Sequence, residues 1–281
     1  MCVCVCITPT HISLSLNQLQ PFTYRINSVC STKKTKMKGK VGERFSEFFE
    51  KWACQLDEYL QLLLRASKQR VINTVCDQRE LQTLVSKVTQ HYKDYFTIKW
   101  SLAHEDVLAF FCPIWGSPLE NAYSWFTGWK PSTIFKLIDS TRINRVPGSS
   151  LAELTQEQLR KIEELRVKIR LEEEKVEREM ERQQVAMAGR KMFELARLTG
   201  RVKDSETMDQ FDGLVEVAMK GLMAGLEKVM KAADCVRLRT LKGVLDVLSP
   251  LQCVEFLAAT SMLQIQLRQW GKRRDSISRK E

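Results

Sequence analysis

The stretch FSEFFEKWACQLDEYLQLL, residues 45–63, decides the fold class of this chain. Its large apolar residues recur at spacings of three and four, at Phe45, Phe48, Phe49, Trp52, Leu56, Tyr59, Leu60 and Leu63. This spacing predicts an amphipathic helix with one apolar stripe. Because such a stripe must be covered by other elements, we expect further amphipathic helices along the chain.

Two more helices are predicted before residue 113. One begins at the capping pair Asp77 and Glu80, and its apolar stripe continues to Phe96. The next spans residues 102–112 and ends before Pro113, because proline cannot continue a helix.

The segment Ser117-Pro118-Leu119-Glu120 predicts the start of a fourth helix. Serine suits the N-cap, proline suits the first helical position, and Glu120 can reach back to the cap. This helix is expected to end at Gly128. Pro131-Ser132 then opens a short fifth helix.

The remaining helices are predicted to be long. Thr155 and Gln158 cap one that continues unbroken to about Leu198, residues 208–248 form another, and residues 249–252 repeat the capping pattern before the last. The heptad pattern of the helix after Thr155 is imperfect, so we favour a core helix over an intermolecular seam.

The predicted fold is an all-α bundle of long antiparallel helices. It is a single domain at 43–270 with halves 43–139 and 151–270, joined by a linker at 140–150 that contains proline and glycine. Residues 1–42 are predicted to be a disordered basic segment and residues 271–281 a basic tail. We favour Met37 as the native start, and a transit peptide is the alternative for the residues before it.

The net charge of +10 lies at the two ends of the chain, and residues 43–267 carry no net charge. A neutral body attracts a phosphate backbone only weakly. The candidate nucleic-acid contacts are Arg268, Lys272, Arg273 and Arg274, although solvated tails are the commoner role of such basic ends. The nine cysteines contain no Cys-x-x-Cys pair, which favours a reducing compartment. Cys2, Cys4 and Cys6 leave open a soft-metal site.

No catalytic motif is present: there is no glycine-rich phosphate loop, no Gly-x-Ser-x-Gly and no His-Glu-x-x-His. The chain is therefore predicted to have no enzymatic activity and no metal centre. A cluster of aromatic residues is the exception to this lack of chemistry, at Trp100, Phe110, Phe111, Trp115, Trp125, Phe126 and Trp129. Much of this cluster is expected to be core and no cofactor is expected, with a pocket for a hydrophobic ligand such as a fatty acid at residues 125–129 as the alternative.

Several of these segments together resemble a known family. The runs Trp115-Gly116-Ser117-Pro118-Leu119-Glu120 and Trp125-Phe126-Thr127-Gly128-Trp129-Lys130-Pro131-Ser132 are similar to the plant Delay of Germination (seed dormancy) domain. That domain also forms the C-terminal part of TGA-type leucine-zipper transcription factors. The predicted partner or ligand corner comprises the family-motif residues His91, Tyr92, Trp115, Ser117, Pro118, Glu120, Trp125, Gly128, Trp129, Lys130, Pro131 and Ser132.

The resemblance implies a non-enzymatic regulatory protein of the plant nucleus and cytoplasm that acts in transcriptional regulation, seed dormancy and abscisic-acid signalling. The partners that the resemblance implies are transcription co-regulators or phosphatases. The resemblance does not decide whether the chain forms a homodimer. Haem binding is ascribed to the family, although no histidine follows His104 here. Residues 1–44 contain no basic region with leucine heptads, so the zipper's DNA contacts are not carried over. We therefore expect a protein-interaction module, with direct DNA binding through the basic ends as the alternative.

Overall fold

A computed structural model describes residues 20–69, 78–143, 150–200 and 205–278 of the chain. The regular elements in these ranges are all helical, so the predicted all-α class is confirmed. In chain order the helices are α1 (Gln20–Gln69), α2 (Gln78–Ala103), α3 (Leu108–Phe111), α4 (Pro118–Ala122), α5 (Thr133–Ile143), α6 (Gln156–Ala186), α7 (Arg190–Thr199), α8 (Ser205–Val247) and α9 (Pro250–Ser278), with a 3₁₀ turn at Ser150–Glu153. Residues 1–37 and 38–281 form two compact units, and the contacts below lie within the second.

Helices α1 and α2 run antiparallel. Arg44, near the start of the second unit, pairs with Glu105 just beyond the end of α2 at 2.8 Å. Further along α1, Trp52 donates from Nε1 to the carbonyl oxygen of His91 at 3.0 Å, and the Tyr59 ring contacts the His91 ring. The apolar stripe of α1 is buried as the sequence predicts, because it faces α2 and the helices behind it.

Helices α6 and α8 form a second antiparallel pair. Gln158, at the start of α6, donates to the carbonyl oxygen of Val247 at the end of α8 at 3.1 Å. Glu172 and Arg239 are 3.1 Å apart midway along the pair. The capping pair of Thr155 and Gln158 is confirmed, since each side chain accepts a hydrogen bond from the other residue's backbone N–H.

Helix α9 closes the bundle over α2 and α4. The Tyr92 hydroxyl on α2 lies 3.3 Å from Ser261 Oγ. Gly271 lies so close to the Ser117 side chain that a β-carbon at this position would overlap it. Glycine at 271 therefore permits the close approach of α9 to the N-terminus of α4. No helix in the described ranges has the length and hydropathy that a membrane span requires.

Two predicted helices are shorter or divided differently in the structure. The predicted helix at 102–112 is interrupted, because α2 ends at Ala103 and α3 begins only at Leu108, whose N–H donates to Asp106 Oδ1 at 3.0 Å. The helix expected to reach Gly128 ends at Ala122. Beyond it, Phe126 and Thr127 have positive φ angles of 41° and 69°, which no right-handed helix accommodates.

The long helix predicted from Thr155 to Leu198 is also divided. It ends at Ala186, and α7 starts after Gly189, whose ψ of 154° is extended. A residue with that ψ cannot continue the α6 hydrogen-bond ladder, but it serves as the N-cap residue of α7.

At the other end, α1 begins at Gln20, and the disordered segment predicted for 1–42 stays a prediction. Helix α5 continues to Ile143, into the predicted linker. The predictions for residues 1–19 with their three cysteines, for Asp77, for Pro147 and Gly148, and for residues 279–281 lie outside the described residues.

Candidate interaction and ligand site

The segment 123–132, here called the corner loop, connects α4 to α5 and contains six of the twelve predicted motif residues. Its backbone holds Phe126 and Thr127 at positive φ, a conformation that costs free energy for residues other than glycine. Such a conformation persists only where surrounding groups hold it. The corner loop is held by side chains from α2, α6 and α8.

A buried cluster of three charged residues supports the loop from α2 and α8. Lys99, Asp234 and Arg237 each have at most 1% of their surface exposed. Lys99 Nζ donates to Asp234 Oδ1 at 2.9 Å, and to the hydroxyl and carbonyl oxygens of Thr127 at 2.8 and 3.1 Å. Trp100 Nε1 donates to the other Asp234 oxygen at 3.0 Å. The cluster therefore joins α2 and α8 to Thr127, which has the larger of the two positive φ angles in the corner loop.

Arg237 binds the corner loop through the backbone. Its Nε donates to the carbonyl oxygen of Trp129 at 2.7 Å, and its Nη2 donates to the carbonyl oxygens of Trp125 and Phe126. Its Nη1 donates to Asp234 Oδ1 at 2.5 Å. The planar guanidinium has five N–H donors in a fixed arrangement, so one side chain satisfies several loop carbonyls at once.

Two buried cations share the single carboxylate of Asp234, and burial alone would disfavour both charges. Burial lowers the pKa of Lys99 to about 8, despite the opposing effect of Asp234. Burial also lowers the pKa of Arg237. The loop carbonyls provide the remaining partners for the two cations, so the cluster and the loop conformation stabilise each other.

Helix α6 supports the other side of the loop with two carboxylates one turn apart. Glu177 Oε1 accepts from Trp125 Nε1 at 3.0 Å and from Lys130 Nζ at 2.8 Å. Glu173 Oε1 accepts from the backbone N–H of Ser132 at 2.6 Å. Burial raises the pKa of Glu173. Burial alone would also raise the pKa of Glu177, but its hydrogen bonds from Lys130 and Trp125 bring that pKa below its usual value.

The predicted cap at the start of α4 is confirmed. Glu120 N–H donates to Ser117 Oγ at 3.2 Å, and Ser117 N–H donates to Glu120 Oε2 at 2.7 Å. The adjacent Trp115 ring packs 4.5 Å from the Phe45 ring, centroid to centroid. Arg268 on α9 donates to the Trp115 carbonyl oxygen at 2.9 Å. The α4 corner is thereby fixed to α1 and α9.

A cavity of about 200 Å³ lies between the corner loop, α1, α2 and α9. Its walls are mainly apolar and include the aromatic residues Trp52, Tyr92, Tyr95, Phe96, Trp115 and Trp129. The wall also contains charged residues of both signs, the cations Lys99, Arg237 and Arg268 and the carboxylates Glu120 and Asp234. At its border Tyr123 is 72% exposed, and Ile114, next to the wall residue Trp115, is 66% exposed. This corner therefore combines an apolar cavity with large exposed side chains.

The structure brings only part of the predicted motif to this cavity. Its lining residues include Tyr92, Trp115, Glu120, Gly128 and Trp129. The remaining motif residues hold the corner in place: Ser117 and Pro118 start α4, Trp125, Lys130 and Ser132 face α6, and Pro131 is buried at the start of α5.

His91 lies outside the cavity and does not fit a haem ligand. Its ring stacks on the Trp52 ring, 4.9 Å between centroids, and Nε2 lies 3.0 Å from the Trp52 carbonyl oxygen. His104 is exposed on the turn after α2, 3.5 Å from Glu227. No histidine of the described ranges lines the cavity, and these ranges contain no group of three metal-ligating side chains.

The four predicted nucleic-acid contacts do not form one surface. Arg268 is only 8% exposed, pairs with Glu50, and lies with its Cζ 4.7 Å from the centre of the Phe49 ring. The guanidinium of Arg268 is therefore used inside the bundle, which leaves little of this side chain for a nucleic-acid contact. Lys272 is 3.5 Å from Glu50, whereas Arg273 and Arg274 are exposed. Direct DNA contact stays a prediction for these last three residues.

The sequence analysis missed the residues that hold the loop, namely Lys99, Asp234, Arg237, Glu173 and Glu177. Glu173 stands in a run of three acidic residues, a pattern typical of a solvated face, yet it is 3% exposed. A signal was present, since Glu173 lies between Ile169 and Val176 on the buried side of α6. A charged residue at a core position indicates a buried polar partner, here the backbone of Ser132.

Comparison with known proteins decides the family. The sequence profile of DOG1, seed dormancy control, matches residues 55–140. Protein DOG1-like 4 of Arabidopsis thaliana is 52% identical over 244 residues, which cover 87% of this chain and 99% of that protein. The chain belongs to the DOG1 family.

Other matches extend the DOG1 relationship. Protein RESPONSE TO ABA AND SALT 1 of the same plant is 30% identical over 231 residues, 80% of this chain and 94% of that protein. Transcription factor TGA6 is 27% identical over 197 residues, 70% of this chain and 56% of that protein. The predicted resemblance is confirmed, including its weaker TGA component. As a member of the DOG1 family the chain is a regulatory protein and not an enzyme.

Proposed function

We propose that this chain is a protein-interaction module of seed-dormancy and abscisic-acid-type regulation, and that its docking site is the corner around α4, from Ile114 to Ser132. The names of its relatives support the pathway, since they refer to dormancy and to a response to abscisic acid and salt. The partner is a regulatory protein, either a transcription co-regulator or a phosphatase, met in the nucleus or cytoplasm.

The observation that carries this proposal is the exposure of Ile114 and Tyr123 beside an aromatic cavity on a rigid support. Large side chains next to a well-packed pocket are typical of the residues that dominate protein interfaces. The buried contacts of Lys99 and Arg237 hold the neighbouring loop in one conformation. A preorganised surface of this kind loses little entropy when a partner binds.

Partner capture from seeds tests the proposal. The wild-type chain, a double variant Ile114→Ala/Tyr123→Ala, and a control double variant Val167→Ala/Leu171→Ala serve as baits. The control removes comparable exposed apolar surface from α6, where both residues are 53% exposed. We expect a partner that the wild type and the control retain and the corner variant loses, with the same result when that partner is purified. A partner retained equally by all three chains contradicts docking at this corner.

We also propose that the cavity takes a small hydrophobic ligand with a carboxylate, such as a short fatty acid. Its mainly apolar walls suit the alkyl tail of such a ligand. Octanoate should raise the melting temperature of the wild type, because a ligand that binds only the folded state stabilises it. The same titration with Trp129→Ala should give a smaller shift, and no shift in the wild type argues against this ligand class.

A further inference from the structure

A second, smaller cavity lies between α5 and α6 and shares no lining residue with the first. Its volume is about 120 Å³, and its walls are Ser132, Thr133, Phe135, Lys136, Arg166 and Arg170. Three of these six residues are basic and none is acidic. The cavity therefore differs from the aromatic one in both size and charge.

Arg166 is fixed in its position at this cavity. Its Nη atoms donate to the two carboxylate oxygens of Asp139 at 3.0 and 2.9 Å, and its Nε lies 2.9 Å from Glu163. Its Cζ lies 5.4 Å from the centre of the Phe135 ring. The hydrogen bond with Asp139 raises the pKa of Arg166, so the side chain stays charged. Because a guanidinium has five N–H donors, donors remain for a ligand.

Lys136 and Arg170 supply the free positive charge. Both are exposed, and within the described residues neither has a carboxylate partner. The acids nearby are already engaged: Asp139 and Glu163 by Arg166, and Glu173 by the backbone of Ser132. The cavity thus presents the cationic side chains of Lys136, Arg166 and Arg170 without a carboxylate in its wall.

We propose that this cavity binds a phosphate-type oxyanion, either a small free phosphate or the phosphorylated side chain of a partner. Arginine and lysine donors that converge from two helices match the several acceptor oxygens of such an anion, and these charge-assisted hydrogen bonds are strong. This ligand does not depend on the corner site, because the two cavities have separate walls.

The test is a titration of the full chain followed by nuclear magnetic resonance at constant ionic strength. One series uses sodium phosphate against sodium chloride. A second uses a short phosphoserine peptide against the same peptide without phosphate. We expect saturable shifts at the amides of residues 133–136 and 166–170 with the phosphorylated ligands only. Tighter binding of the peptide indicates a partner side chain, whereas tighter binding of inorganic phosphate indicates a free anion.

Variants distinguish a specific anion-binding site from nonspecific electrostatic attraction. Lys136→Gln and Arg170→Gln each keep most of the side-chain stem, and each should weaken phosphate binding about tenfold, because each removes a charged donor. Lys168→Gln removes the same charge from the same helix outside the cavity wall, and it should leave the affinity unchanged. The proposal is overturned if the wild type shows no saturable response, or if Lys168→Gln weakens binding as much as Arg170→Gln.

Discussion

The guanidinium of Arg237 lies directly against Gly128. A β-carbon added at Gly128 would be 3.0 Å from Arg237 Cζ and 3.1 Å from its Nε. The absence of a side chain at position 128 therefore lets a buried arginine on α8 reach the carbonyl oxygens of the corner loop. This contact links the motif at residues 125–132 to the second half of the chain.

Gly128→Ala should destabilise the protein by about 1–3 kcal/mol, because the added methyl group overpacks against a guanidinium that cannot move without losing its hydrogen bonds. Urea denaturation measures the effect. Gly221→Ala is the matched control: a β-carbon there has no atom within 4 Å, and alanine in a helix is better than glycine by up to about 1 kcal/mol. Equal effects of the two substitutions would contradict the close approach.

Arg237→Met should cost about 3–5 kcal/mol, because it leaves loop carbonyls without donors and Asp234 without one of its two cations. The stability of Arg237→Lys should lie between those of Arg237→Met and the wild type, since lysine keeps the charge but lacks the planar arrangement of donors. Arg178→Met provides the control. Arg178 is 63% exposed and its partner Glu174 is 55% exposed, so a change of under about 1 kcal/mol is expected.

Lys99 should make stability depend on pH between about 8 and 10.5. Its pKa in the folded chain is about 8, below the ordinary value of 10.5, so in this window the unfolded chain binds more protons. The free energy of unfolding contributed by this group therefore rises as the pH increases through the window. Denaturation at pH 7.5 and 9.5 measures this effect. Between these two pH values the free energy of unfolding should rise by roughly 1–2 kcal/mol more in the wild type than in Lys99→Met. If the free energy of unfolding changes with pH equally in the wild type and in Lys99→Met, the lowered pKa of Lys99 is contradicted.

Arg268→Gln should cost about 1–3 kcal/mol, because Arg268 bridges α9 to Glu50 and to the Trp115 carbonyl inside the bundle. Substitution of the exposed Arg273 or Arg274 by glutamine should change the free energy of unfolding by less than about 0.5 kcal/mol. Thermal denaturation followed by circular dichroism distinguishes the two cases. If Arg268→Gln is as stable as the wild type but loses affinity for duplex DNA, the structural role of Arg268 is refuted.

Local patterns predicted most of the helices and the caps at Ser117, Thr155 and Ser249 correctly. The stripe from Phe45 to Leu63 is determined by residue spacing alone, and the caps at Ser117 and Thr155 involve residues three positions apart. Errors arose where a helix had to stop without a proline, at Ala103 and Ala186. At these places distant packing competes with local propensity, and a single sequence shows only the latter.

The sequence by itself determined the all-α class, the family motif and the balanced charge of the body, because these depend on spacing and composition. Only the tertiary structure decided that Lys99, Asp234 and Arg237 meet under the corner loop, although they are up to 138 positions apart in the chain. Only it placed Arg268 inside the bundle and three bases around a second cavity. The physical reason is that the sequence does not distinguish a charged residue that becomes buried from one that stays in water. The difference arises only when folding removes the water around the charge and supplies a partner.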